Sequence, residues 1–298
     1  MKARFTRPRL PCRERKEILR LSRMYRSATD PPSRPGIAVR AGKVTRVLTM
    51  VNDDASTALA DFDPPAVLEQ IDAATEHLLQ TAARFTDADV RAPSLLPNWS
   101  RGHVLTHLAR NADGGRRLLS WARTGVETAE YPSLAAREEE IESGAGRGAA
   151  ALVADLRDSA ARFAAEYRRM TSAAWSRTVR WTRGQERPAA RAADSRLSEV
   201  LVHHADLDAG YTAAQWPAVF VHDMLGRVVT AFVVRDNAPA MRLHATDTDT
   251  WYGIGGAQPA PVIHGTESSL LSWLMGRSPG TDLTAQDRAA LPEPPFLY

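Results

Sequence analysis

Glu199 and His203 are the first pair in this chain whose types and spacing could do chemistry. Residues four apart on a helix lie one turn above each other on nearly the same face, so a carboxylate and an imidazole at that spacing can converge on one cation. The surrounding stretch, residues 196–210, suits a helix. It places Leu197, Val200, Leu201 and Leu207 at helix-compatible intervals, lacks Pro and Gly until Gly210, and is preceded by Asp194 and Ser195 as candidate caps. Alone, such a pair reads more readily as a surface hydrogen bond. A third ligand elsewhere changes its meaning.

Residues 96–113 supply that ligand. Ser100 is a good N-cap residue, and the pattern after it predicts a helix from there to about Arg123, with Gly114 and Gly115 as a weak point. At about 100° per residue, Val104, Leu105, Leu108 and Ala112 form the apolar arc. His107 borders that arc, whereas His103 points further away, alongside Arg110. His107 is therefore the better inward-facing ligand, although both histidines could act as a pair. Together, His107, Glu199 and His203 make a two-imidazole, one-carboxylate set. Three protein ligands leave a position open for water or substrate, as in catalytic zinc sites; iron, nickel and cobalt suit the same donors.

These residues also carry a resemblance. The phrase Trp99-Ser-Arg-Gly-His-Val-Leu-Thr-His-Leu-Ala-Arg-Asn-Ala-Asp113, the later Arg196-x-x-Glu-Val-x-x-His-His-x-Asp-Leu207, and Gly276-Arg277-Ser278 resemble mycothiol-dependent maleylpyruvate isomerase, a DinB-like metalloprotein family, from about residue 60 onward. The resemblance implies Zn2+ held by His107, Glu199 and His203, mycothiol as the thiol cofactor, and a requirement for Arg277. It implies that the thiol adds to the cis double bond of maleylpyruvate, the resulting single bond rotates, and elimination gives fumarylpyruvate. Arg277 would bind a carboxylate of substrate or cofactor, for which a planar guanidinium is suited. Asn111, His204 and Asp206 are candidates to orient the ligands, because metal-bound imidazoles usually donate their other N–H. The same apparatus suits a mycothiol S-transferase acting on electrophiles. A further alternative is a metal-stabilised binding module without turnover.

The elements that must position these residues follow from pattern. At 298 residues with 44% apolar content, the chain is long enough for two domains and carries no apolar run of membrane-spanning length. Its single cysteine, Cys12, excludes an internal disulfide and thiolate-rich zinc sites, and fits a cytoplasmic setting. The net charge of +3 hides an asymmetry: residues 1–50 hold 14 Lys/Arg against 3 Asp/Glu, which leaves 24 against 32 for the rest. That mildly acidic body argues against nucleic acid as a partner. A small-molecule substrate and a low-molecular-weight thiol are the expected partners of a monomer.

Residues 1–57, proline-bearing and without periodicity, read as a disordered basic leader, and Met50 could be the true start. Residues 58–212 read as a DinB-like four-helix bundle. Asp63-Pro64 opens the first helix, with a stripe of Val67, Ile71, Ala74, Leu78 and Ala82 to about Phe85. A charged helical turn or two is expected over 135–142, with a break at 144–148. A third long helix over 149–171 carries Leu152, Leu156, Phe163, Tyr167 and Met170, and the Glu199 helix completes the bundle, an established way of building metal sites. Residues 213–298 read as a small α+β domain: a helix over 217–235, strands over 241–245, 250–254 and 261–264, and a helix over 266–276. His77 is read as a surface residue, and His222, His244 and His264 show no convincing ligand spacing. The fold class is thus mainly α, a bundle followed by a small α+β domain.

Overall fold

The computed structural model describes residues 62–256, 260–286 and 290–294. The basic leader and Cys12 lie outside the described residues. Helix α1 (Pro64–Ala82) opens as its sequence requires, with Pro at the first turn and the Asp63 side chain accepting from the Ala66 amide. A short α2 (Asp87–Arg91) follows, opened by a reciprocal Thr86/Asp89 capping box. Helix α3 (Arg101–Thr124) is capped by Ser100, and it ends on Gly125 in the left-handed conformation. Next come α4 (Leu134–Ala145), α5 (Ala149–Arg168) and a single turn, α6 (Ser172–Trp175). A two-stranded hairpin, β1 (Thr178–Arg180) with β2 (Glu186–Pro188), leads into α7 (Ala190–Asp206).

Two of these findings correct the sequence reading. Gly114 and Gly115 do not weaken α3, which runs through both. They are glycines because other side chains need the space: a Cβ on Gly114 would lie 3.1 Å from Glu130 and Tyr131 atoms, and one on Gly115 would lie 2.9 Å from the Phe163 ring. Helix α7 also starts earlier than Asp194 and Ser195 suggested. Asp194 lies inside it, where its carboxylate pairs with Arg191 at 2.9 Å instead of capping an end. The hairpin before it carries too little apolar alternation in three-residue strands to be read from sequence.

Helices α1, α3, α5 and α7 are the four long members of the bundle. One core layer joins Leu78, Val104, Leu105, Leu108, Leu156 and Val200, and all six side chains are fully buried. A second layer continues out of the bundle into the C-terminal part, linking Ile71, Phe163 and Leu201 to Phe232, Leu243 and Leu271. That part comprises α8 (Ala218–Val233), β3 (Met241–Ala245), β4 (Thr250–Ile254), β5 (Val262–Gly265), α9 (Glu267–Leu274) and β6 (Thr284–Ala285). The strand order is β4-β3-β5-β6, with β3 and β5 parallel and the two outer pairings antiparallel. Burial of Met241, Leu243 and Ala245, alternating with Arg242 and His244, shows that one face of this sheet packs inward. Among the described residues, no helix is long and apolar enough to cross a membrane.

Candidate metal centre

His107 sits in the second turn of α3, where the Ser100 cap fixes the start of the helix. Glu199 and His203 lie one turn apart on α7. The crossing of the two helices brings His107 Nε2 to 2.7 Å from Glu199 Oε2, and His203 Nε2 to 3.3 Å from the same oxygen. Potential ligand atoms of the three residues all lie within 4.8 Å of one another. The two imidazoles meet nearly at right angles, with centroids 4.6 Å apart. His103 takes no part. Its Nδ1 closes the capping box at Ser100, and its Nε2 faces Glu142 at 3.3 Å.

Behind His203 stands a buried support. Its Nδ1 is 2.7 Å from Asp206 Oδ2, and Asp206 is fully buried. A carboxylate only accepts, so Nδ1 carries the hydrogen and Nε2 is the nitrogen left to face Glu199. Asp206 is in turn gripped by Arg277, whose Nε and Nη2 donate to its two oxygens at 3.1 and 3.2 Å. Arg277 Nη1 donates to the Met275 carbonyl at 2.7 Å. The carboxylate-matching edge of Arg277 is therefore committed to Asp206, where the sequence reading had aimed it at a carboxylate of substrate or cofactor. Of the other two candidate orienting residues, Asn111 accepts from Arg196, and His204 turns away to meet Thr81 Oγ1 at 2.8 Å and stack on Tyr211 at 3.8 Å.

Two arginines close to this cluster had no site role in the sequence reading. Arg137, on α4, donates from Nη2 to His107 Nδ1 at 2.9 Å. It is thirty residues from His107 in a stretch that reads simply as a charged helix, so no local pattern marks it. Arg196 is 2% exposed, and its Nη1 donates to the Leu108 carbonyl and to Asn111 Oδ1 at 2.8 and 2.9 Å. The available signal was its phase, because Arg196 shares a face of α7 with Ala192, Ala193 and Val200, all buried.

Burial and charge divide the cluster into defined states. Burial drives the His107 imidazole down to about 4, against the pull of Glu199, so this ring is neutral. At His203 burial acts the same way, but hydrogen bonds to Asp206 and Glu199 outweigh it and raise the ring to about 9. Burial pushes the Glu199 carboxyl up, yet its contacts with His107 and His203 hold it well below the ordinary carboxylate range. Burial lowers the Arg196 guanidinium to about 10, with Glu199 opposing the shift. The cluster thus holds a neutral His107 and one protonated imidazole, His203, whose two ring nitrogens face the Glu199 and Asp206 carboxylates.

The donors fit a dication. Glu199 is ionised, and His203 offers Nε2 once that nitrogen gives up its proton, while Nδ1 keeps its hydrogen and donates it to Asp206. His107 fits with one adjustment. A guanidinium only donates, so its bond to Nδ1 leaves the hydrogen of neutral His107 on Nε2. To hold an ion at Nε2, His107 would carry its hydrogen on Nδ1 instead, where it could no longer accept from Arg137.

The comparisons bear on this centre. Residues 71–208 match the mycothiol maleylpyruvate isomerase N-terminal domain, and residues 215–294 match the C-terminal domain of the same family. No curated protein matches the chain. A crystal structure of the mycothiol-dependent maleylpyruvate isomerase superposes with a TM-score of 0.75 at 28% identity, covering 80% of this chain and 99% of the other. A histidine-to-alanine mutant of that kind of enzyme matches with the same TM-score and coverage at 27% identity. With both of its domains matched in order and the His/Glu/His cluster formed between two bundle helices, this chain belongs to the mycothiol maleylpyruvate isomerase family.

Proposed function

We propose that the protein is a metal- and mycothiol-dependent isomerase that converts maleylpyruvate to fumarylpyruvate. The observation that supports this reading is the convergence of His107, Glu199 and His203 within 4.8 Å in a chain of this family. Zn2+ is the ion we assign. When bound, it supplies a positive charge that lowers the pKa of a thiol, so that the thiol is nucleophilic at neutral pH. The one cysteine, Cys12, lies outside the described residues, and this reading takes its thiol from a small molecule.

The protein's own groups set the stage for addition, rotation and elimination. Asp206 holds the hydrogen of His203 Nδ1, and Arg277 holds Asp206 in place from the C-terminal part. Arg277 is thus a positioning residue that acts through Asp206. Arg137 Cζ lies 5.7 Å from the Tyr131 ring centroid, and its guanidinium, once released from His107, would be free to meet an anionic substrate. No acid or base stronger than these is needed, because the thiol that adds is the thiol that leaves.

The test combines metal content with product analysis. The parent is expected to hold one tightly bound Zn2+ per chain and, with mycothiol present, to convert maleylpyruvate to its trans isomer; His107→Ala, Glu199→Ala and His203→Ala should lose both. A stable thiol conjugate in place of the trans isomer would move the assignment to an S-transferase. Tight Zn2+ binding retained by all three variants would overturn the site.

A further inference from the structure

The outer face of the C-terminal sheet carries a row of side chains that the proposed reaction does not use. Trp251 on β4, His244 on β3, His264 on β5 and Thr284 on β6 are successive register partners. Register partners share a face, so these four stand opposite buried Leu243 and Ile263. In the middle of the row, His244 Nδ1 and His264 Nδ1 are 3.1 Å apart, with their rings at 85°.

The tautomer of His244 follows from its neighbour. Its Nε2 lies 2.8 Å from Asp249 Oδ1. Because the carboxylate accepts, Nε2 carries the hydrogen, and neutral His244 presents its Nδ1 lone pair to His264. Trp251 stacks on the same ring at 4.3 Å and 15°, which fixes the ring plane. Asp249 itself sits at the β3–β4 turn with a positive φ of 52°, a conformation Asp tolerates better than most residues. Two ring nitrogens bound to one tetrahedral ion at about 2.0–2.1 Å would be about 3.3 Å apart. The observed separation is close to that value, so a metal could replace the shared proton once both rings turn to aim their Nδ1 atoms at it.

We propose that His244 and His264 form a second metal site, binding Zn2+ through their two Nδ1 atoms, with Asp249 orienting His244 and the remaining positions open to exchangeable ligands. The arrangement is carboxylate, histidine, metal, in which the outer acid fixes the ring and raises its basicity. With two protein ligands it binds more weakly than the three-ligand cluster. It is also independent of that cluster, since it shares no residue with it.

The experiment is a Zn2+ titration of the chelator-stripped full chain, followed by calorimetry and by NMR of the histidine ring nitrogens. The parent is expected to take two ions in a tight and a weaker event, and the weaker event should move the Nδ1 signals of His244 and His264. His244→Phe, which keeps a ring against Trp251, and His264→Ala should each lose the weaker event and retain the tight one. His107→Ala should do the reverse. Asp249→Asn is expected to weaken the second event about tenfold or more. If the parent takes one ion and His244→Phe loses it, the new site stands and the proposed function fails. A weaker event that survives in both His244→Phe and His264→Ala, or Nδ1 signals that stay fixed throughout, overturns the site.

Discussion

Asp206 touches His203 and Arg277 and sits below the cluster in a fully buried position. Its replacement by Asn keeps the size but loses the charge that holds His203 Nδ1–H. Asp206→Asn should lower Zn2+ affinity about 10- to 100-fold, read by competition with a chelator. An unchanged affinity would mean that His203 is oriented by packing alone. Arg137 makes the opposite prediction. Because its bond to His107 Nδ1 and an ion at Nε2 exclude each other, Arg137→Gln should tighten Zn2+ binding by roughly tenfold, the lower end of what one charged hydrogen bond is worth. Weaker binding in this variant would show that Arg137 supports the ion instead of competing with it. His204 makes a pH prediction. Burial lowers its ring to about 3, with His77 adding to the shift. The unfolded ring takes up its proton near 6.5 while the folded ring does not, so stability is fully present above that pH and falls as pH drops toward 3. The slope from this group is about 1.4 kcal/mol per pH unit. His204→Gln should flatten the decline in urea midpoints between pH 6 and 4; an equal slope in both proteins would assign the acid sensitivity elsewhere.

Helix approach is decided by small residues, and the glycines separate into those that need space and those that do not. A Cβ on Gly102, in the first turn of α3, would lie 2.3 Å from the Ala145 carbonyl oxygen, where α4 ends. Backbone cannot give way as a side-chain tip can, so Gly102→Ala should cost about 1–3 kcal/mol and disturb the turn that carries His103 and His107. Gly226, inside α8, has no neighbour within 4 Å of such a Cβ. There, Gly226→Ala should stabilise the protein by about 0.5–1 kcal/mol. Urea denaturation of the two variants checks both signs, and a destabilised Gly226→Ala would mean that α8 packs against more than the described residues show.

The bundle and the α+β part share one core across their boundary, in which α7 and α8 contribute together with β3 and α9. Trp216 reinforces the junction, its Nε1 donating to the Leu201 carbonyl at 3.0 Å. Arg277 then reaches from beyond α9 to Asp206 at the end of α7. A site formed on the bundle is thus held in part by the C-terminal sheet's own helix layer. This continuity accounts for the second family domain being part of the site's support.

The sequence by itself determined the elements and the principal donors. Helix caps at Asp63 and Ser100, and the stripe through Leu152, Leu156 and Phe163, are local signals written in side-chain chemistry and period. Glu199 and His203 could be paired because the helix repeat alone places them together, and His107 because its position beside an apolar arc faces it inward. Tertiary structure decided everything that depends on which surfaces meet. His244 and His264 are twenty residues apart with no shared period, and only the parallel pairing of β3 with β5 makes them neighbours. Arg137 meets His107, and Arg277 meets Asp206, across contacts between separate elements. The Asp194 cap failed for the complementary reason: a hairpin directly before α7 and a pairing with Arg191 let the helix start earlier than the local signal said. Local periodicity is a property of a few consecutive residues, whereas the partner of a charge is chosen by the packing of whole helices and sheets.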